Sequence, residues 1–169
     1  MPTVIRAATH QDLPVLGTLG ALLMRVHYNF DSNRFLPPGD SPEEGYAWFL
    51  GTQLTERDVV IYVAEIDGIV QAYVYAGLEP LSWKELRGPA GFIHDIVVAE
   101  SARRSGVAVQ LLDAAKAWLK ERGAPRVLLW TAAQNHPAIS LFTSQGFRHT
   151  MTEMTLELDT SDRADSREQ

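Results

Sequence analysis

The residues of this sequence best suited to chemistry lie close together, between His94 and Val109. His94 falls inside the apolar run Phe92-Ile93-His94-Asp95-Ile96-Val97-Val98. An unperturbed imidazole titrates near ~6.5, so it is poised to move a proton at neutral pH. A few residues on, Arg103-Arg104-Ser105-Gly106-Val107-Ala108-Val109 sets two guanidinium groups beside a glycine, where a helical pattern begins. The first N–H groups of a helix lack intrahelical partners and stand at the positive end of the macrodipole, so this loop suits a phosphate or another anion. Gly106 leaves the backbone open to close approach, and Ala108 is the next smallest choice at the second close position.

Each feature has a plainer reading. A Gly-x-Ala spacing occurs in surface turns by chance. His94 could equally be a core histidine satisfied by a backbone carbonyl, Asp95 an inert hydrogen-bond anchor, and the arginines solvated surface groups. Successive strand residues also point to opposite faces, so His94 and Asp95 meet one substrate only if a bulge intervenes.

The elements that must position these residues can be read from periodicity. Residues 92–98 predict a central strand, because β-branched apolar side chains suit a packed pleated surface. Leu111, Leu112, Ala115, Trp118 and Leu119 then recur at helical spacing until Gly123 and Pro125 end the helix. Upstream, 3–7 predicts a strand. A helix follows with Thr9 or Asp12 as its cap and an end near Tyr28, and a second helix has Ser41 as cap, Pro42 in its first position and Glu44 completing a capping box. Strands over 59–66 and 69–78 flank Asp67-Gly68, a hairpin signal. Downstream, 126–131 predicts a strand, 137–145 a short helix stopped by Gly146, and 147–158 a final strand. The order is β, α, α, β, β, β, α, β, α, β.

In combination, Arg103-x-x-Gly106-x-Ala108 behind Ile96-Val97-Val98, Asn135-x-x-Ala138, and Phe142-x-x-x-Gly146-Phe147 resemble the GNAT superfamily of acyl-CoA-dependent N-acetyltransferases. The resemblance spans roughly 4–158. It implies an α/β fold with a mixed, mostly antiparallel central sheet flanked by helices and with splayed central strands. It also implies acetyl-CoA as acyl donor. The backbone of Ile96, Val97 and Val98 would line the pantetheine arm, Arg103, Arg104, Ser105, Gly106, Val107, Ala108 and Val109 would cradle the diphosphate, and Asn135 would contact the cofactor or cap its helix.

Acetyl transfer to an amine needs the neutral amine, whereas an alkyl ammonium has a pKa near ~10. In relatives such as the diamine acetyltransferases an acidic pair stands at the positions of His94 and Asp95; here the second acid is kept and the first is histidine. His94 is therefore the expected catalytic base, with Asp95 beside it, and backbone N–H groups at the strand end would stabilise the developing oxyanion. Many family members have tyrosine at Phe142, whose hydroxyl protonates the departing thiolate; phenylalanine has no such proton. A thiol pKa near ~8.5 makes the thiolate a tolerable leaving group, and water, Ser140 or Ser144 could assist. A non-catalytic acyl-CoA-binding module is the alternative. His136 is read as a loop residue, and His10, His27 and His149 are set aside with it. The acceptor site is expected between the first two helices, the 29–40 loop and the 80–89 loop, with Tyr28, Phe30, Asp31, Phe35, Tyr46 and Trp83 shaping it.

Composition mainly excludes. The 169 residues make one domain's worth, 1–158, with a polar tail over 159–169. A net charge of −6 argues against a nucleic-acid partner. The chain has no cysteine, which removes disulfides, thiolate metal sites and a cysteine acyl-enzyme, and no metal site is expected. A dinucleotide-binding oxidoreductase is disfavoured because Gly-x-Gly-x-x-Gly is absent. With no signal-peptide core and no membrane-length stretch, a cytoplasmic location is the default, and the partners are a small-molecule or peptide amine and, as often in the family, a second copy in a homodimer.

Overall fold

The computed structural model describes residues 2–158. Five strands form one sheet in the order β1 (Thr3–Ala7), β2 (Val59–Ile66), β3 (Ile69–Glu79), β4 (Ala90–Val98) and β5 (Val127–Leu129). The first three pairings are antiparallel and β4 pairs with β5 in parallel. Helices α1 (Leu13–Phe30) and α2 (Pro42–Gln53) cover one face, and α3 (Val107–Glu121) and α4 (His136–Ser144) cover the other. The mixed, mostly antiparallel α/β architecture is the one expected.

Two-sided burial explains why the central strands read as nearly continuous apolar runs. Along β3, Tyr73 and Tyr75 enter the core under α1 and α2, whereas Ala72, Val74 and Ala76 enter the core under α3. Asp67 and Gly68 adopt positive φ of 51° and 79°, the conformation a two-residue hairpin turn requires. Arg6 joins this frame to α1, donating to Asp12 at 2.8 and 2.9 Å and holding that carboxyl down to about 2.

Close helix contact fixes the α1–α2 pair. A Cβ built on Gly20 would lie 1.9 Å from the Tyr46 ring, so only glycine lets the two helices meet there. Pro42 does open α2, but the Ser41 side chain makes no capping hydrogen bond.

Two local differences from the sequence reading matter. β5 ends at Leu129, short of the expected 131, because its ladder with β4 stops at the Ile93–Leu129 pair and the strands then part. Residues 147–158 carry no strand, and from Arg148 to Leu158 every residue is exposed. A strand exists only through ladder hydrogen bonds to a neighbour, and this segment has none among the described residues. The tail assigned to 159–169 lies outside the described residues. No helix among the described residues is long and apolar enough to cross a membrane.

Candidate active site

The site begins at a slip in the β3–β4 ladder. Tyr75 pairs with Asp95 and Ala76 with Ile93, so His94 is the extra residue of a β-bulge. Alternation is broken there. Phe92, His94, Asp95 and Val97 share the face toward α1 and α2, while Ile93, Ile96 and Val98 pack into the opposite core. The bulge needed to bring His94 and Asp95 to one ligand is thus present.

His94 is clamped and partly exposed. Its ring stacks on Phe92 at 5.5 Å with a 10° interplanar angle and lies 4.8 Å from the Tyr75 ring. Its Nε2 is 3.2 Å from Glu79 Oε1. When Nε2–H donates to that carboxylate, the neutral imidazole presents Nδ1 as its basic nitrogen. The plainer reading of His94 as a core residue bonded to a backbone carbonyl does not describe this environment.

Asp95 occupies a drier position. Tyr46 donates to its Oδ2 at 2.5 Å and Tyr73 at 3.0 Å. No described residue hydrogen-bonds Oδ1. Burial pushes the carboxyl above the usual aspartate range, opposed by the two phenol hydroxyls. The phenols are in turn held neutral: burial raises both, and the adjacent carboxylate raises them further. Burial also lifts the Tyr75 phenol, to about 12.

A cleft of about 770 Å3 runs past these two residues. One end lies between α1, α2 and the loop that joins them, walled by Leu23, Met24, Phe35, Leu36 and Phe49; the other passes between the parted strands to Asn135, Ala138 and Phe142. A smaller cavity of about 200 Å3 opens on the other side of His94, between Glu79, Phe92 and Trp130. Phe35 and Tyr46 line the main cleft as expected, but Tyr28, Phe30, Asp31 and Trp83 do not. The 80–89 loop contributes Glu85 and Arg87 to the smaller cavity.

The residues expected to hold the acyl carrier fall along one path. From His94 onward β4 has no partner on the β5 side, which leaves main-chain groups of Ile96, Val97 and Val98 along the gap. Val97 and Val107 bury their side chains in the two cores, so any contact they make to a ligand is through main chain. Gly106 is the N-cap of α3 at φ 81°, with no atom within 4 Å of where a Cβ would stand. The α3 N-terminus carries no side-chain cap, Arg103, Arg104 and Ser105 around it are exposed, and Ala108 and Val109 are half-buried. At the cleft wall Thr131 Oγ1 is buried without a hydrogen-bond partner. An open helix N-terminus, a free strand edge and an orphaned hydroxyl together fit a ligand with an anionic head and an amide-bearing arm.

Asn135 lines the cleft and also accepts from Ala138 N–H at 3.3 Å, so the cap and the site coincide. Neither Ser140 nor Ser144 lines the cleft, and the Ser144 hydroxyl donates to Leu141 O at 2.6 Å. Those hydroxyls are not in place to assist a leaving group. His136 opens α4 and is not a loop residue. His27 lies on α1 and lines the cleft, with Nδ1 2.9 Å from Leu23 O.

Sequence reasoning missed Tyr73 and Glu79 and gave Tyr46 only a shaping role. The hairpin at Asp67-Gly68 held part of the signal, since it places residues 73, 75, 77 and 79 on one face of β3. The bulge that aligns His94 with that face had no marker.

The family model described as "Acetyltransferase (GNAT) family" matches residues 24–147. An N-alpha-acetyltransferase of Sulfurisphaera tokodaii is 32% identical over 112 residues, covering 63% of this chain and 67% of the relative. Among solved structures, the BH1408 protein of Bacillus halodurans superposes with a TM-score of 0.77 at 22% identity over 92% of this chain and 99% of its own. The aminoglycoside N-acetyltransferase AAC(6')-Iy, solved in complex with CoA, superposes with a TM-score of 0.73 at 20% identity over 93% of this chain and 95% of its own.

Proposed function

The chain belongs to the GNAT acetyltransferase family and is an N-acetyltransferase, and from that premise we propose that it takes the acetyl group of acetyl-CoA to a primary amine that attacks the thioester directly. Residues 1–158 serve as the single catalytic domain. The bulge that sets His94 and Asp95 on one face, at the point where β4 and β5 part, carries this reading.

Acetyl-CoA, when bound, supplies an electrophilic thioester carbonyl. Its diphosphate fits the backbone N–H groups and guanidinium side chains of Arg103, Arg104, Ser105, Gly106, Val107, Ala108 and Val109, and its arm fits the free edge of Ile96, Val97 and Val98, with Asn135 alongside. The CoA complex of the aminoglycoside enzyme supports this placement at the level of fold.

Asp95 Oδ1 receives the acceptor as an ammonium through a charge-assisted hydrogen bond. His94 Nδ1 then takes the proton, directly or through water, and Glu79 stabilises the imidazolium across Nε2–H. Phe142 offers no proton, so the thiolate leaves on the strength of its own low basicity. The walls beyond Asp95 are largely apolar, so the acceptor carries one amine on an apolar body; the name of the Sulfurisphaera tokodaii relative makes peptide N-termini a natural class to try.

The test is thiol release from acetyl-CoA against a panel of apolar amines, peptides with apolar N-terminal residues, polyamines and aminoglycosides. Turnover concentrated in the apolar classes is the expected outcome. Tight acetyl-CoA binding with no transfer to any amine would replace the proposal with a non-catalytic acyl-CoA module.

A further inference from the structure

We infer that residues 148–158 form a strand only against a second copy of this chain, exchanged between two subunits and paired with the outer edge of β5. This goes beyond the catalytic reading and does not depend on it.

The segment is anchored and then abandoned. Gly146 turns the chain at φ 90°, Phe147 N–H donates to Phe142 O at 3.0 Å, and the two phenylalanine rings meet edge to face at 5.9 Å. Past that point Met151, Met154, Leu156 and Leu158 are 80%, 91%, 82% and 80% exposed. Met154, Leu156 and Leu158 alternate with Thr155 and Glu157, the period of a half-buried strand. Its one side-chain tie to the body is an exposed ion pair of Glu153 with Arg34. Such a pair contributes little and leaves the apolar side chains in water.

The complementary surface is also present. β5 pairs with β4 on one side only, so its other edge exposes unpaired backbone groups. Next to that edge Trp130 is 73% exposed while its ring touches Phe92 beside His94. Each copy therefore owns one strand without an edge and one edge without a strand, the condition under which a two-fold exchange closes on itself and leaves neither unmatched. An exchanged segment lying on β5 covers Trp130, so a second copy finishes the wall of the cleft.

The absence of native cysteine makes the test direct. Chains carrying Leu128→Cys on β5 and chains carrying Thr155→Cys are co-expressed and treated with a short bismaleimide, and the mass of the unmodified protein is measured by sedimentation at micromolar concentration. The expected result is a dimer and a covalent pair containing one chain of each kind. Met154→Asp combined with Leu156→Asp is expected to give a monomer with an unchanged circular dichroism spectrum. A monomeric parent protein overturns the inference, as does a dimer that yields no mixed pair or one that survives both aspartates.

Discussion

His94 and Asp95 are neighbours in sequence and yet share one face of β4, because the ladder slips by one residue between Tyr75 and Ala76. An exposed-side imidazole and a desolvated carboxylate are thereby presented to the same ligand. Their environments differ: His94 is backed by Glu79, and Asp95 by two phenols that occupy one of its oxygens.

Replacing His94 by alanine removes the proton acceptor while leaving the cofactor path untouched. We expect kcat to fall by about 10²–10⁴-fold, the usual span for a general base, with CoA affinity preserved. Steady-state rates across pH check this; an unchanged rate with an unchanged pH profile would return His94 to a structural role.

Asp95 should oppose stability as it serves function. Burial raises its carboxyl in the folded state, so the native protein holds a proton that the unfolded chain has already released. Stability therefore falls as pH rises from the ordinary carboxylate value through the raised one. Asp95→Asn keeps an acceptor for Tyr46 and Tyr73 and never ionises. It should gain roughly 0.5–2 kcal/mol at pH near 8 and nothing in acid, while losing roughly 10–100-fold in kcat/KM for the amine. Denaturant melts at the two pH extremes decide it; equal stability of parent and variant at both would show that the carboxylate is not desolvated.

Gly20 ties the helix pair to the site, since any Cβ there strikes the Tyr46 ring. Gly20→Ala should cost about 1–3 kcal/mol through overpacking and weaken the Tyr46–Asp95 hydrogen bond. Adding Tyr46→Ala relieves the clash, so the two stability losses measured together should sum to less than their separate values. Strict additivity would mean that the helices adjust elsewhere.

Ala108 stands in the first turn of α3, half-buried beside the open N-terminus. Ala108→Phe should weaken CoA binding at least tenfold in calorimetry with little change in the unfolding midpoint. The same substitution at exposed Gln110 serves as the control and should leave affinity alone. Comparable affinities for the two variants would remove the diphosphate from this loop.

Most of the architecture was legible because it rests on local signals. The Asp67-Gly68 turn, Pro42 at the start of α2, the helical spacing from Leu111 to Leu119 and Gly106 before α3 each act over a few residues, where side-chain sterics and unsatisfied backbone groups set the conformation. The residue pattern around Gly106, Asn135 and Gly146-Phe147 likewise marked the family from the sequence alone. Tertiary structure decided the rest. Whether His94 and Asp95 point the same way depends on the register of β4 against β3, which no residue in either strand encodes by type. Tyr73 and Glu79 become site residues only through that register. The segment from 148 to 158 has a strand's alternation, but a strand needs an edge to bond to, and the availability of an edge is a property of the assembled sheet. Side-chain chemistry was written residue by residue; its direction was set by long-range hydrogen-bonded pairing.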